Sequence, residues 1–120
     1  MKQNISESEW IVMKVLWKKW PLTLNEILKE LKDYNWSANT IQTFLGRLVK
    51  KGAVKTERQG KGYLYIPIVN EMDCLEIETQ HFIDRAYDGS IEKMMLGFVK
   101  SGKLTSKDIE NLKKMIDKEE

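Results

Sequence analysis

The sequence predicts a mainly α-helical protein with one small β-hairpin, divided into two parts. Two observations predict the helices. Apolar residues recur at intervals of three and four, and several such stretches follow a Ser or Thr placed three residues before an acidic residue. A third observation predicts the hairpin, because β-branched and aromatic residues flank the turn Gln59-Gly60-Lys61-Gly62. A chain of 120 residues fits a small domain with an appended region, here residues 1–70 and 71–120.

The first two helices begin at capping-box patterns. Ser6 and Thr23 each stand three residues before a Glu, so that side chain and backbone can cap one another. The apolar period then predicts a helix over residues 7–19 and a shorter one that ends near Asp33. Helical spacing favours a place in the core for the four tryptophans, and a stacking surface for single-stranded nucleic acid is the alternative. They are Trp10, Trp17, Trp20 and Trp36.

A third helix and the hairpin complete the first part. Ser37 can cap this helix, and Gly52 can end it. One apolar stripe matches the helical template at every position and consists of Ile41, Phe44, Leu45, Leu48 and Val49. Two short strands are predicted next, at residues 54–58 and 63–66. Three helices followed by a hairpin wing indicate an N-terminal winged helix-turn-helix domain.

The side of the third helix opposite the apolar stripe carries short hydrogen-bonding groups instead of the Glu and Lys that are usual on a solvated face. Seven residues lie on this side and its flanks, namely Asn39, Thr40, Gln42, Thr43, Gly46, Arg47 and Lys50. Asn, Gln and Arg side chains match the hydrogen-bonding pattern of adenine or guanine in the major groove of double-stranded DNA. This helix is therefore predicted to be a recognition helix, although ordinary surface residues are the alternative.

The hairpin is predicted to reach DNA phosphates or a minor groove beside that helix. The residues suited to this role are Arg58, Gln59 and Lys61. Residues 1–70 contain 12 Lys and Arg against 6 Asp and Glu, whereas residues 71–120 contain 8 against 12. The positive charge of the first part favours a polyanion as partner, and a solvated basic face with no partner is the alternative.

The C-terminal part is predicted to contain three further helices, which Asn70, Ser90 and Thr105 can cap. Their apolar stripes include Leu75, Phe82, Ile91, Met94, Met95, Phe98, Ile109, Leu112 and Ile116. Three short helices bury too little surface to be stable by themselves. We expect a homodimer to cover these apolar stripes, because two-fold dimers are the commonest oligomers. The alternative is a monomer in which the three helices pack back on the first part.

Several other classes of function find no support in the sequence. One histidine, His81, and one cysteine, Cys74, cannot supply a catalytic triad set or a four-ligand zinc site, so we expect no enzyme, no metal and no cofactor. The single cysteine suits a reducing compartment. No apolar run approaches a membrane span, and no apolar signal core is present, so we expect a cytoplasmic protein without membrane insertion.

Several blocks of the sequence together resemble the BlaI/MecI family of penicillinase repressors. They are ISESEWIVMKVLW, the pair Glu26-Ile27, WSANTIQTFLGRLVKKGAV, YLYIP, DGSIEKMMLGFV and KLTSKDIENLKKMI, and they extend over nearly the whole chain. The resemblance implies a winged-helix repressor that binds a palindromic operator as a homodimer through its C-terminal helices. It also implies release of the operator when a membrane sensor protease, which responds to β-lactams, cleaves the repressor.

Within the recognition helix, Thr40, Thr43 and Arg47 are similar to the family in type and place. Gly46 replaces the larger residue often found there, so a different sequence preference is expected. We therefore predict a sequence-specific transcriptional repressor that controls β-lactam resistance genes. A small-molecule-responsive winged-helix regulator and a winged-helix protein-interaction adaptor are the alternatives, and an adaptor should bind DNA only weakly and without sequence preference.

The segment MMLGFV resembles the cleavage region of the family. This resemblance places the scissile bond between Gly97 and Phe98. Gly97 stands where the best-known relatives carry Asn, which removes the side chain that a protease would recognise but weakens the helix at this position. The same apolar residues also fit a buried helix stripe, and both interpretations hold together if the helix opens locally before cleavage.

Overall fold

The computed structural model describes residues 4–119, which contain six α-helices, a short 3₁₀ helix and one antiparallel hairpin. The elements are α1 (Glu7–Lys18), α2 (Leu24–Glu30), α3 (Ala38–Lys50), β1 (Val54–Gln59), β2 (Gly62–Pro67), α4 (Glu71–Tyr87), α5 (Ile91–Lys100) and α6 (Ser106–Glu119). The predicted mainly α-helical fold class with one hairpin is confirmed. The chain divides into two compact units, Met1–Glu76 and Ile77–Glu120.

The predicted capping residues form the hydrogen bonds expected of them. Ser6 Oγ accepts from the Glu9 backbone N–H at 3.2 Å, and the Glu9 carboxylate accepts from the Ser6 N–H at 3.0 Å. Thr23 closes the same kind of capping box at the start of α2, and Ser37 Oγ accepts from a backbone N–H of α3 at 3.1 Å. These bonds satisfy amides that would otherwise lack a partner at the helix starts.

The core of the first unit lies between α1, α2, α3 and the hairpin. Its buried apolar residues are Ile5, Val12, Met13, Leu16, Leu22, Ile27, Leu31, Ile41, Leu45, Leu48, Ala53, Val54 and Cys74. The hairpin is attached to the α1–α2 connection because Leu22 and Tyr65 exchange backbone hydrogen bonds at 3.2 and 2.8 Å. Trp17 Nε1 donates to the Val69 carbonyl at 3.0 Å and fixes the segment after the hairpin.

The hairpin turns through a two-residue loop. Gln59 pairs with Gly62 across the strands, which leaves Gly60 and Lys61 between them. Gly60 has a φ of 59°, a conformation that glycine adopts without steric cost. Glycine at the first position of a two-residue loop is typical of a type II′ turn, whose twist matches that of the strands.

Two expectations about burial are wrong. Trp20 is 60% exposed, because α1 ends at Lys18 and helical spacing no longer applies in the following loop. Val49 is 39% exposed. It lies on the flank of the α3 stripe, about 80° around the helix from Ile41. The other tryptophans pack partly buried against the core as predicted, and these are Trp10, Trp17 and Trp36.

The second predicted helix is shorter than expected. α2 ends at Glu30, and the 3₁₀ helix Lys32–Tyr34 follows before Asn35, which has a φ of 57°. Asn is one of the few residues with a side chain that adopts this left-handed backbone at moderate cost. The tighter turn and the reversal at Asn35 bring the chain to the N-cap of α3.

The second unit consists of most of α4 together with α5 and α6. Ser90 Oγ accepts from a backbone N–H of α5 at 3.1 Å, and Thr105 and Asp108 close a capping box at α6, as predicted. Ile83 is the one buried side chain among the described residues of this unit. Large exposed apolar side chains are Phe82, Ile91, Leu96, Val99, Ile109, Leu112, Met115 and Ile116. The apolar stripes of α5 and α6 therefore remain accessible to water.

Glu9 is a carboxylate inside the first unit, only 1% exposed. It accepts hydrogen bonds from Ser6 and from the Lys51 ammonium, which also donates to the Asn4 carbonyl at 2.7 Å. Burial alone would raise the pKa of Glu9, but the hydrogen bonds from Lys51 and Ser6 and the positive charge of Lys51 outweigh burial and hold it below its ordinary value. The ion pair thus joins the start of α1 to the end of α3.

We expect Lys51→Met to lower the free energy of unfolding by about 3 kcal/mol, because this change leaves a buried carboxylate without its partner. Adding Glu9→Gln should restore part of the loss, since a neutral amide needs no counter-charge and still accepts from Ser6. Urea unfolding of the wild type and both variants measures these differences. Equal stability of Lys51→Met and the wild type would contradict a structural role for the pair.

The ion pair between Glu9 and Lys51 also predicts how the free energy of unfolding depends on pH. The folded-state pKa of Glu9 lies below its unfolded value of 4.5. The contribution of the pair to the free energy of unfolding is therefore fully present above pH 4.5 and is lost as the pH falls through the folded pKa. Unfolding free energy should therefore fall less steeply on acidification in Glu9→Gln than in the wild type. Parallel pH profiles for the two proteins would contradict this assignment.

Candidate nucleic-acid interface

α3 presents its predicted recognition face to solvent. The opposite side is held in the core by Ile41, Leu45 and Leu48, each at most 1% exposed. Of the predicted contact residues on α3, Thr40 is half-buried. The exposed ones are Asn39, Gln42, Thr43, Gly46, Arg47 and Lys50. Because the buried side fixes the rotation of the helix, these polar groups have a defined direction.

The two threonines of this face are already hydrogen-bonded within the first unit. Thr43 Oγ1 donates to the Asn39 carbonyl at 2.9 Å, and Thr40 Oγ1 lies 3.0 Å from the hydroxyl of the N-cap serine. A hydroxyl has one proton, so Thr43 keeps its lone pairs and its methyl group for a partner. Gln42 and Arg47 form no side-chain hydrogen bond within residues 4–119 and retain all their donors.

The predicted wing residues lie at and beside the tip of the hairpin. Gln59 and Lys61 are exposed. Arg58 lies opposite Tyr63, and its Nη1 donates to the Tyr63 hydroxyl at 3.3 Å. The guanidinium carbon lies 5.5 Å from the centroid of the same ring. Arg58 is therefore oriented on the wing by an aromatic neighbour.

A surface cleft of about 480 Å³ connects α3 with the hairpin. Its walls also include the first turn of α2, and the lining residues are Thr23, Leu24, Asn25, Gln42, Gln59, Lys61, Gly62, Tyr63 and Tyr65. Of the predicted contact residues, the cleft brings together Gln42, Gln59 and Lys61, whereas the others do not line it. The cleft thus places an amide of α3 near the basic tip of the wing.

Positive charge on this surface is available for an external anion. Arg47, Lys50, Arg58 and Lys61 form no ion pair with any residue of the described range 4–119. Lys51 belongs to the same basic stretch of sequence, but its charge is directed into the core toward Glu9. Four cations therefore remain for a polyanionic partner such as a nucleic acid.

Two residues that line the cleft, Tyr63 and Asn25, are not among the contact residues predicted from the sequence. A signal for Tyr63 is present in the turn, because a two-residue loop at residues 60–61 places Tyr63 opposite Arg58. Asn25 has no such signal. Its position depends on how α2 packs beside the hairpin, which is a tertiary contact.

Residues 4–119 show no arrangement that suits a metal site or a membrane span. No group of three or more His, Cys, Asp and Glu side chains is arranged to hold a metal ion in that range. Burial raises the pKa of the Cys74 thiol, and His81 is exposed to solvent. Within the same range, none of the helices combines the length and the apolar composition needed to cross a bilayer.

Comparison with known proteins identifies the family of this chain. The family model described as Penicillinase repressor matches residues 5–118. The chain belongs to the penicillinase repressor family. A family member named Penicillinase repressor, from Bacillus licheniformis, is 38% identical over 115 residues, which cover 95% of this chain and 90% of the relative. The methicillin resistance regulatory protein MecI of Mammaliicoccus sciuri is 33% identical over 116 residues, covering 96% and 94%.

A solved structure of the family is also similar to this chain. It is the solution structure of monomeric Bacillus licheniformis BlaI in complex with the blaP half-operator. The two are 43% identical with a TM-score of 0.53, and the match covers 61% of this chain and 90% of that one. The predicted winged helix-turn-helix fold is confirmed for this family member.

Two glycines near this surface should respond oppositely to a methyl group. A Cβ added at Gly46 meets no atom within 4 Å, so Gly46→Ala should raise the free energy of unfolding by about 0.5–1 kcal/mol through helix propensity. Gly52 has a φ of 81°, so Gly52→Ala should lower it by about 1 kcal/mol. Urea denaturation measures both changes, and a less stable Gly46→Ala would contradict the open surroundings of Gly46.

Proposed function

We propose that this chain is a sequence-specific DNA-binding repressor whose α3 enters the major groove of an operator. One observation carries the proposal, namely that Gln42, Thr43 and Arg47 are exposed on a helix whose other side is fixed in the core. Fixed rotation gives base-reading groups defined positions. The names of the relatives support this proposal, since one is a penicillinase repressor and another is bound to a half-operator.

The proposed contact residues differ in role. Arg47 suits guanine and Gln42 suits adenine, while Thr43 offers lone pairs and a methyl group to a base edge. Lys50 and Lys61 suit phosphates, which position the protein without carrying sequence information. The remaining proposed contacts are Asn39, Thr40, Gly46, Arg58 and Gln59. In this proposal the chain acts in the cytoplasm through binding alone and performs no catalysis.

We further propose that two copies associate through the C-terminal helices. Neither α5 nor α6 buries a described side chain, although both carry apolar stripes. Covering such stripes in a second copy contributes roughly 25 cal/mol per Å² of apolar surface. The proposed interface consists of Leu75, Phe82, Ile91, Met94, Met95, Phe98, Ile109, Leu112 and Ile116. A two-fold dimer presents two copies of α3 and therefore suits a palindromic operator.

Induction is proposed to occur by cleavage between Gly97 and Phe98, carried out by a membrane sensor protease that responds to β-lactams. Both residues are half-buried in α5. The Phe98 carbonyl accepts from the backbone N–H groups of Lys103 and Leu104 at 2.9 and 3.1 Å, so it closes the end of the helix. Cleavage would separate this closing turn and α6 from the rest of α5, and each DNA-binding unit would then bind alone with lower affinity.

We expect Arg47→Ala to weaken binding to an operator by about 1–3 kcal/mol, with a smaller loss on random duplex, because a base contact is lost. Lys61→Ala should weaken both duplexes equally and reduce the salt dependence by about one released counterion. The operator for this titration is selected by the wild-type protein from a random duplex pool. Equal loss on both duplexes for Arg47→Ala would make Arg47 a phosphate contact, and no loss would contradict the recognition-helix assignment.

In sedimentation at micromolar concentration we expect a dimer for the wild type and a shift toward monomer for Leu112→Gln. Each dimer loses two leucine side chains at about 1.5–3 kcal/mol each. Lys114→Gln is the matched control, because Lys114 lies about 160° around α6 from Leu112. A monomeric wild type, or equal weakening by the control, would contradict an interface on this face of α6.

Mass spectrometry of the repressor from host cells tests the proposed cleavage. After exposure to a β-lactam we expect fragments that end at Gly97 and begin at Phe98. Gly97→Ala should slow cleavage, because alanine stabilises a helix interior by about 1 kcal/mol relative to glycine, and the nearest atom to an added Cβ, Tyr87 Oη, is 3.9 Å away. A chain that stays intact and still leaves the operator would contradict proteolytic induction.

A further inference from the structure

The pair Arg58 and Tyr63 on the wing has a hydrogen-bonding arrangement that the proposed recognition surface does not explain. Tyr63 is 44% exposed, and its hydroxyl accepts from Arg58 Nη1 at 3.3 Å. The guanidinium carbon is 5.5 Å from the ring centroid. An exposed arginine normally samples many rotamers, so the ring and the hydroxyl together restrict Arg58 to one side of the hairpin.

The direction of this hydrogen bond leaves a donor free. A phenol has one proton, and because Tyr63 accepts from Arg58, its own proton remains for another acceptor. An N–H donated by a cation polarises the hydroxyl and makes it a stronger donor. The other guanidinium N–H groups of Arg58 form no hydrogen bond within residues 4–119. The pair therefore offers several donors and a positive charge to the same external group.

The surroundings of Tyr63 select the chemistry of that group. Tyr63 lines the cleft between α2, α3 and the hairpin together with Lys61, Gln59 and Gln42. No acidic side chain lines this cleft in the described part of the chain. Hydrogen-bond donors and the Lys61 ammonium, without a carboxylate among the lining residues, favour an anion with several acceptor oxygens, such as a phosphodiester.

We propose that Tyr63 and Arg58 form one phosphate-binding unit of the wing, in which the Tyr63 hydroxyl donates to a DNA phosphate oxygen and Arg58 holds that hydroxyl in place. The inference rests on the proposed DNA-binding function and adds Tyr63 as a contact residue. Tyr63 carries no sequence information in this role, because every nucleotide presents the same phosphate. Its effect on affinity is therefore the same for operator and random duplex.

A double-mutant cycle on the full chain tests the unit. Tyr63→Phe keeps the ring beneath the guanidinium and removes one hydroxyl, so the fold and the cation–π contact persist. We expect it to lower affinity about 3- to 10-fold on operator and random duplex alike. In an Arg58→Gln background the same change should cost less than about twofold, because the hydroxyl is no longer oriented. Tyr34→Phe is the control, since Tyr34 is an exposed tyrosine outside the cleft.

Duplexes that each carry one neutral methylphosphonate identify the contacted phosphate. At one position the substitution should weaken the wild type but leave Tyr63→Phe almost unchanged, because that variant has already lost the bond. If Tyr63→Phe binds every duplex with wild-type affinity, or if the effects in the double-mutant cycle are additive, the inference is overturned while the DNA-binding proposal stands. A wild type that binds no duplex overturns the DNA-binding proposal and the inference together.

Discussion

Burial of one stripe of α3 is the constraint on which the rest of the first unit depends. Ile41, Leu45 and Leu48 are at most 1% exposed, and α1, α2 and β1 all pack against this helix. A helix buried along one stripe has no freedom to rotate, because rotation would expose apolar side chains and bury polar ones. The polar side of α3 is therefore held toward solvent by the same contacts that stabilise the core.

The hairpin and the end of α3 are positioned by two contacts outside that stripe. The backbone bridge between Leu22 and Tyr65 attaches the hairpin to the connection between α1 and α2. The ion pair between Glu9 and Lys51 holds the end of α3 against the start of α1 and uses a lysine that would otherwise add to the basic surface. Arg47, at the last turn of α3, remains exposed. One cation thus serves the fold while its neighbours remain available to a partner.

Local interactions explain how much of this was predictable. The capping serines and threonines and the α3 stripe apart from Val49 were predicted correctly, because a cap bond or a helical face depends on residues three or four apart. Trp20 was assigned to the core wrongly, because helical spacing was extended beyond the predicted helix end at residue 19, and in the loop after α1 this side chain is exposed. The Glu9–Lys51 pair and the cleft beside Tyr63 join residues far apart in the chain, so only the packed structure reveals them. The roles of Gln42 and the other surface residues remain predictions.

Titration of the wild-type protein with its selected operator and with random duplex, at several salt concentrations, tests the proposed recognition most directly. A recognition helix with a basic wing predicts that both affinities fall linearly with the logarithm of salt, because phosphate contacts release counterions. It also predicts a preference for the operator of about 10³-fold or more that persists as salt rises, because base contacts are added to the phosphate contacts. Equal and weak affinity for the two duplexes at every salt concentration would contradict sequence recognition by α3.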